Sequence, residues 1–277
     1  MRKFLTVVCC ACVALCAGAD SDYMKYVQWG DDAIAKGRWS EAISYLEEAM
    51  RTEPSNPQNV MLLSNVGMLH HYAGEDSLAL HTLSEARAMA PSSVVILNNR
   101  ARVLSAMGRA GDALKDYDLI LQMDSTFADA WYDRAALHLR SGRTDLAEND
   151  AQRFMELAPD DLQGKLLMAV IYSNTHRPAD AIPLYTELIK VKPEAVYYSA
   201  RAMCRLQLEE LAEAADDIAR GLELDPGDSE LYYCRAFLNL LRYREDDARA
   251  DAAKAVELGL NPERAAALFG EKSKTMR

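Results

Sequence analysis

The feature that most constrains this 277-residue chain is a pattern that recurs seven times at a spacing close to 34 residues. The clearest copy, residues 128–161, reads as two amphipathic helices, here called helix A and helix B, joined by a tight turn at residues 141–143. Ala135 lies midway along helix A, Ala147 lies early in helix B, and Pro159 ends the unit. A hairpin this short cannot bury its apolar face alone, so the repeat predicts a stack of hairpins and an all-α fold.

The spacing of small residues is constant through the repeats. A Gly or Ala of helix A is followed 12 positions later by an Ala of helix B, and only such residues let two helix backbones approach closely. The pairs are Gly30 and Ala42, Gly67 and Ala79, Ala101 and Ala113, Ala135 and Ala147, Ala169 and Ala181, Ala202 and Ala214, and Ala236 and Ala248. Four glycines (Gly37, Gly74, Gly108 and Gly142) predict left-handed caps after helix A. Pro183 predicts a kink or a late start in the fifth helix B.

The chain resembles the tetratricopeptide repeat family over about residues 23–260. Trp131 holds the Trp place of the family signature W-x2-L-G-x2-Y, Tyr26, Tyr198 and Tyr232 are aromatic substitutes there, and Tyr172 holds the Tyr place. The resemblance implies an α-solenoid, a right-handed superhelix of about seven helix-turn-helix repeats with a C-terminal capping helix. The predicted repeats are 23–56, 57–93, 94–127, 128–161, 162–194, 195–228 and 229–261, with the cap at 262–270.

One departure from the family pattern predicts ion pairs within the repeats. Four repeats have Arg where the family has Leu, and each has Asp 16 positions later. These pairs are Arg100 and Asp116, Arg134 and Asp150, Arg201 and Asp217, and Arg235 and Asp251. In the fifth repeat both places are apolar, Met168 and Leu184, and this covariation indicates a contact between helix A and helix B. The alternative is an arginine ladder for an anionic ligand, which an aspartate partner for every arginine argues against.

The N-terminal residues 1–19 predict a signal peptide. Arg2 and Lys3 form a basic region, residues 4–15 an apolar region, and residues 17–19 a small-x-small cleavage site. The mature chain, residues 20–277, would then be exported, with the periplasm as its expected location and secretion out of the cell as an alternative. The alternative is an outer-membrane lipoprotein anchored through a lipid on Cys16. A lipoprotein signal has a small residue before this cysteine, so the large Leu15 argues against lipidation. Labelling with palmitate would reveal the lipid. No later segment is long and apolar enough to be a transmembrane segment.

Charge and cysteine content limit the classes of partner. The formal net charge is −11 at pH 7, which argues against nucleic-acid binding because phosphate backbones repel an acidic surface. Four of the six cysteines lie in residues 1–19. The other two, Cys204 and Cys234, lie on the first helices of neighbouring repeats and are candidates for a disulfide in an exported protein. The alternative is that both are small buried apolar residues.

The predicted site is a groove for a partner protein or peptide. Stacked helix A elements line the concave side of such a solenoid, and their amides, arginines and tyrosines suit a peptide. The predicted groove residues are Met68, His71, Tyr72, Asn98, Arg102, Tyr132, Arg140, Gln163, Asn174, Ser199, Gln207 and Tyr233. The alternative is that about half of them pack against the next repeat.

The sequence shows no catalytic constellation. The five histidines form no metal-ligand spacing, and phosphate-loop and nucleophile-elbow motifs are absent. We therefore predict no enzyme activity, no cofactor and no metal. The expected function is a non-catalytic protein–protein interaction scaffold in the bacterial cell envelope. The alternative is a lipid-anchored accessory subunit of an outer-membrane assembly or uptake complex.

The ion-pair hypothesis predicts the stability of an aspartate variant. Asp150→Ala would leave Arg134 buried without its partner, which we expect to lower the free energy of unfolding by about 3 kcal/mol. A thermal melt measures the effect. A melt that coincides with that of the wild type would refute the pair.

Overall fold

The computed structural model describes residues 21–275, and the side chains of residues 21–270. The predicted signal peptide lies outside the described residues. Over the described range the chain forms fifteen α-helices and no strand, which confirms the predicted all-α repeat fold. The helices are α1 Asp22–Ala35, α2 Trp39–Thr52, α3 Asn59–Tyr72, α4 Asp76–Met89, α5 Val94–Ala106, α6 Ala110–Met123, α7 Ala128–Arg140, α8 Thr144–Leu157, α9 Leu162–Asn174, α10 Pro178–Val191, α11 Ala195–Gln207, α12 Leu211–Leu224, α13 Ser229–Leu241, α14 Glu245–Glu257 and α15 Pro262–Thr275.

The chain divides into two compact units, one ending at Leu137 and the other beginning at His138. In the first unit the buried side chains of α1 to α6 include Leu46, Leu69, Leu83 and Tyr117. In the second unit α9 to α14 bury a similar set of apolar side chains between successive helices. Odd-numbered helices are helix A of each repeat, even-numbered helices are helix B, and α15 follows the last repeat.

In the first two repeats the paired small residues lie where helix A crosses helix B. All twelve alanines of these pairs are 0% exposed, and Gly30 and Gly67 are buried. A Cβ placed on Gly67 would lie 2.6 Å from Leu83 Cγ, and one on Gly30 would lie 2.7 Å from Leu46 Cδ2. Real Cβ atoms do not approach so closely, so the leucine would have to move. The predicted close approach of helix A and helix B is therefore present in these two repeats.

Four of the helix A elements begin with a side-chain cap. Ser21 and Ser93 accept a hydrogen bond from the backbone N–H three residues later. Asp161 and Asp228 each accept two bonds, from the backbone N–H groups two and three residues later, at 2.8–2.9 Å and 2.8–3.0 Å. These oxygens satisfy N–H groups that have no partner within a helix, which fixes where α1, α5, α9 and α13 start.

The turns between helix A and helix B require a left-handed residue in every repeat. Gly37, Gly74, Gly108 and Gly142 have φ between 69° and 84°, as predicted for helix caps. At the same place the last three repeats have His176, Glu209 and Tyr243, with φ between 56° and 60°. Sequence inspection missed these three turns because they lack glycine. The hydrogen-bonded turn imposes the same backbone geometry whether or not the residue favours it.

The predicted late start of the fifth helix B is wrong. Pro178 occupies the first turn of α10, where a missing N–H costs nothing, and the helix continues through Pro183. Pro183 deprives the helix of a single backbone hydrogen bond. Packing of Ala181, Tyr185 and Leu188 against their neighbours holds the helix together across that gap.

The turn geometry predicts opposite effects of two substitutions. Gly142→Ala introduces a Cβ at φ 71° with no atom within 4 Å, so the loss should be conformational only, about 1 kcal/mol. Glu209→Gly removes the same strain at an exposed residue, but it also makes the unfolded chain more flexible. The net result should be a protein more stable by about 0.5 kcal/mol. Urea unfolding measures both.

Glu209→Ala is the control, because it removes the carboxylate and keeps the Cβ. It should leave the unfolding midpoint near that of the wild type. A gain in Glu209→Ala equal to that of Glu209→Gly would attribute the effect to charge and contradict the strain argument.

Candidate partner-binding surface

A largely apolar pocket of about 520 Å³ lies in the unit that begins at His138. Side chains of α9, α11 and α13 form most of it, with one residue each from α10 and α15. The lining is Val170, Ser173, Tyr185, Val196, Ser199, Ala200, Met203, Cys204, Gln207, Glu230, Cys234 and Arg264. A concave apolar site with a few polar groups at its edge is suited to the side chains of a protein or peptide.

Helix α11 supplies the central wall of this pocket. Val196, Ala200, Met203 and Gln207 are spaced at helical intervals of four, three and four residues, which places them on one face. Val196 is 54% exposed although it is apolar. The face therefore offers apolar area to a partner along its length, with an amide at its C-terminal end.

A charged clamp lies at one edge of the pocket. Arg264 of α15 donates to both carboxylate oxygens of Glu230 on α13, and its guanidinium lies 4.5 Å from the ring centre of Tyr233. The hydrogen bond to Glu230 raises the pKa of Arg264 above its ordinary value. This ion pair holds the first turn of α15 beside the pocket. The two charges neutralise each other at the edge of the pocket.

The two cysteines of the described chain are free, so the disulfide interpretation is wrong. Each sulfur contacts a different oxygen. Cys204 Sγ lies 3.4 Å from Ser173 Oγ, and Cys234 Sγ donates to the carbonyl oxygen of Ser199 at 3.5 Å. Burial raises the pKa of both thiols above the ordinary range, which disfavours the reactive thiolate. They act as small buried residues, the alternative that the sequence left open.

Three of the four predicted ion pairs are formed. Arg100 Nε donates to Asp116 at 2.8 Å, Arg201 Nε donates to Asp217 at 3.0 Å, and Arg235 Nε donates to Asp251 at 3.0 Å. In each, a second guanidinium nitrogen donates to the same carboxylate. The three aspartates are buried, so each pair ties helix A to helix B in a water-poor setting.

The members of the fourth pair, Arg134 and Asp150, belong to different units, and the pair stays a prediction. Within the first unit Arg134 donates to Asp118 at 2.7 Å. Within the second unit His138 Nε2 lies 3.8 Å from Asp150 Oδ2.

Aromatic residues three positions before three of these four arginines cover their guanidinium groups, which the sequence reasoning missed. The Arg carbon Cζ lies 4.9 Å from the ring centre of Trp131, 5.7 Å from that of Tyr198 and 4.8 Å from that of Tyr232, in the repeats of Arg134, Arg201 and Arg235. The aromatic place of the repeat signature therefore packs on the neighbouring cation. An arginine that packs against an aromatic ring and bonds to a carboxylate has a structural role. This argues further against an arginine ladder that binds an anionic ligand.

Several predicted groove residues are engaged within the chain. Met68 and Asn98 are buried, at 6% and 4% exposed, and their contact with a partner stays a prediction. Met68 packs against Val103 of the next helix A element. His71 Nδ1 lies 2.6 Å from Asp76 Oδ1, and Arg102 Nε lies 3.1 Å from Asp133 Oδ2.

The other predicted groove residues fall into two groups. Arg140, Gln163, Asn174 and Gln207 are exposed, and Tyr72, Tyr132 and Tyr233 are half-buried. Ser199 is 5% exposed, and the structure brings it together with Gln207 at the pocket. The sequence reasoning missed Val196, Ala200 and Arg264, although the spacing of Val196 and Ala200 on one helix face was a usable signal.

Membrane-spanning and metal-binding features are absent from the part of the chain that the structure describes. Between residues 21 and 275 no helix combines the length and apolarity needed to cross a membrane. The described side chains also contain no group of three or more His, Cys, Asp or Glu residues placed to hold a metal ion.

The thiol environment predicts slow alkylation in the native protein. Cys204 and Cys234 should remain unmodified by iodoacetamide under native conditions and react fully in urea, because burial excludes the reagent and disfavours the thiolate. Peptide mass spectrometry after alkylation assigns the label to each residue. Recovery of a peptide cross-linked through Cys204 and Cys234 under non-reducing conditions would contradict the free thiols.

Comparison with known proteins agrees with the geometry. The tetratricopeptide repeat family matches residues 27–94, 98–161 and 166–229. A solved tetratricopeptide repeat protein from Parabacteroides merdae ATCC 43184 is 26% identical, with a TM-score of 0.64 over 90% of this chain and 98% of that chain. The structure of YrrB, described as a TPR protein with an unusual peptide-binding site, is 19% identical, with a TM-score of 0.57 over 69% of this chain and 97% of that chain. Photosystem I assembly protein Ycf3 of Cuscuta obtusiflora is 28% identical over 51% of this chain and 80% of its own length. The chain belongs to the tetratricopeptide repeat family.

Proposed function

We propose that this protein is a non-catalytic scaffold of the bacterial cell envelope that binds a partner protein or peptide through its helix A side chains. The observation that carries the proposal is the apolar pocket of about 520 Å³ on α9, α11 and α13. Proteins of this family bind protein or peptide partners, and the fold of YrrB, a peptide-binding relative by its description, is similar.

The pocket favours a partner segment with a large apolar side chain. Val170, Val196 and Met203 offer apolar contact, and removing such area from water is the main source of affinity at a site of this kind. Ser173 and Gln207 add a hydroxyl and an amide that can bond to the backbone of the segment. A bound segment would thus be fixed both by an apolar anchor and by backbone hydrogen bonds.

The envelope location rests on the sequence. Residues 1–19 have the basic, apolar and small-residue regions of a signal peptide, and an exported chain would meet its partner in the periplasm. The likeness to a Parabacteroides merdae protein over most of both chains supports a bacterial source. Anchoring through Cys16, as an accessory subunit of an outer-membrane complex, is the alternative arrangement of the same scaffold.

The proposal predicts that substituting one exposed valine abolishes partner binding and that substituting another leaves it unchanged. Val196→Asp places a charge on the apolar wall of the pocket, so we expect it to remove at least nine-tenths of a partner captured from a bacterial envelope extract. Val196 and the control residue Val191 are 54% and 62% exposed, so neither substitution should unfold the protein. Affinity capture followed by mass spectrometry measures the partner.

Val191→Asp makes the same change at the end of α10, outside the pocket, and should capture the partner as the wild type does. Equal capture by Val196→Asp and the wild type would place binding elsewhere. Equal loss in both variants would indicate a general effect of charge and would also contradict the proposed site.

A further inference from the structure

A second pocket, of about 310 Å³, lies in the unit that ends at Leu137, between α4, α5 and α6. Four cationic side chains line it, together with two carboxylates. They are Arg87, Arg100, Arg109 and Lys115, and Asp112 and Asp116. The chain as a whole carries a formal charge of −11, so a positive pocket is a local exception that the composition does not explain.

This pocket and the predicted groove use opposite faces of α5. Asn98 and Arg102 were predicted for the groove, whereas Arg100 and Leu104 line the pocket. Residues two positions apart on a helix point about 200° apart, so the two pairs face away from each other. A ligand in the pocket would therefore not contact the face of α5 that carries Asn98 and Arg102.

One carboxylate of the pocket is already paired with an arginine. Asp116 is buried and accepts two hydrogen bonds from Arg100, at 2.8 and 2.5 Å. Arg87 approaches the same carboxylate only to 3.9 Å, which is too long for a hydrogen bond. The guanidinium of Arg87 is thus held at the pocket with its fork of donors open to a further acceptor.

The other carboxylate neutralises one of its two partners. Asp112 accepts from Lys115 at 2.9 Å and from Arg109 at 2.6 Å. These hydrogen bonds, that of Lys115 first, lower the pKa of Asp112 to about 2, so it is ionised at neutral pH. Four cations against two carboxylates leave an excess of two positive charges in the pocket.

The position of Arg87 is apolar in every other repeat. The corresponding residues, eight positions after the small residue of helix B, are Met50, Leu121, Met155, Ile189, Leu222 and Val256. Met50, Leu121, Leu222 and Val256 pack against the hydrophobic cores of their repeats. Arg87 is 36% exposed, so the repeat tolerates a charge here at the expense of that packing. The other six repeats fold without a charge at this position, so the repeat itself does not account for Arg87.

We propose that this pocket binds a phosphoryl group, as the free ion or as part of a small organic phosphate. The excess of two positive charges matches a dianion, and the fork of a guanidinium pairs with two phosphate oxygens at once. Arg87 supplies that fork and Lys115, 78% exposed, supplies a mobile second cation. Leu80 and Leu104 lie beside them and can contact an apolar substituent of the phosphate.

Calorimetric titration in phosphate-free buffer at low salt tests the proposal, with inorganic phosphate and phenyl phosphate as probes. We expect saturable binding of at least one probe by the wild type, weakening as sodium chloride is added because ions screen the contact. Arg87→Leu, which restores the residue type of the third repeat, should weaken binding at least tenfold. Lys115→Gln, an exposed change that cannot unfold the chain, should weaken it at least threefold.

Arg153→Leu is the matched control. Arg153 is 62% exposed on α8 in the other unit and pairs with Glu156, so its loss changes net charge equally and should leave binding unchanged. Tighter binding of phenyl phosphate identifies an organic phosphate as the ligand, and equal affinity identifies the free ion. No saturable binding of either probe at 20 mM, or equal affinity in Arg87→Leu and the wild type, would overturn the proposal.

Discussion

The close crossing of helix A and helix B at paired small residues is the constraint on which the rest of the structure depends. A residue with no side chain, or a single methyl group, lets the two backbones approach until Leu46 or Leu83 packs directly over a glycine Cα. Dispersion contacts at that distance are individually weak but numerous, and a larger side chain would separate the helices along their whole length. Because the spacing of 12 residues is kept, the same crossing recurs and successive hairpins present equivalent faces to one another.

The arginine–aspartate pairs are a second contact between helix A and helix B of a repeat. Each pair joins the two helices of a repeat at a buried carboxylate, and an aromatic ring covers the arginine of two described pairs, those of Arg201 and Arg235. Burying two charges costs desolvation energy, so such a pair contributes less net stability than its geometry suggests. We expect its main effect to be on the register of the two helices, since a helix displaced by one residue would leave an ion buried without a partner. The fifth repeat has two apolar residues, Met168 and Leu184, at these two positions instead.

The two faces of helix A consequently differ in what they can do. On the face that carries Arg201 and Arg235, carboxylates and rings already occupy the polar groups. The other face, in the second unit, leaves Val196 exposed beside a pocket. Partner binding is therefore expected where the repeat does not need its side chains for its own cohesion. The pocket beside Arg87 follows the same logic, because it arises where one repeat departs from the packing of the others.

The sequence by itself determined the helical hairpins, their small-residue crossings, the glycine turns and three buried ion pairs, because each is a contact within one repeat and recurs at a fixed spacing. Only the tertiary structure decided which groove residues are exposed. Met68 and Asn98 carry the right residue types but are buried, Met68 against Val103 of the following helix A, and the repeat position alone does not indicate this burial. The same holds for the free thiols of Cys204 and Cys234, each directed to a different oxygen, and for the left-handed turns at His176, Glu209 and Tyr243. The apolar pocket on α9, α11 and α13 is the clearest feature that only the tertiary structure decided. Its side chains, from Val170 to Arg264, are not related by any local sequence pattern. Local spacing fixes how a repeat folds, whereas the surface it leaves open depends on how neighbouring repeats and the last helix cover it.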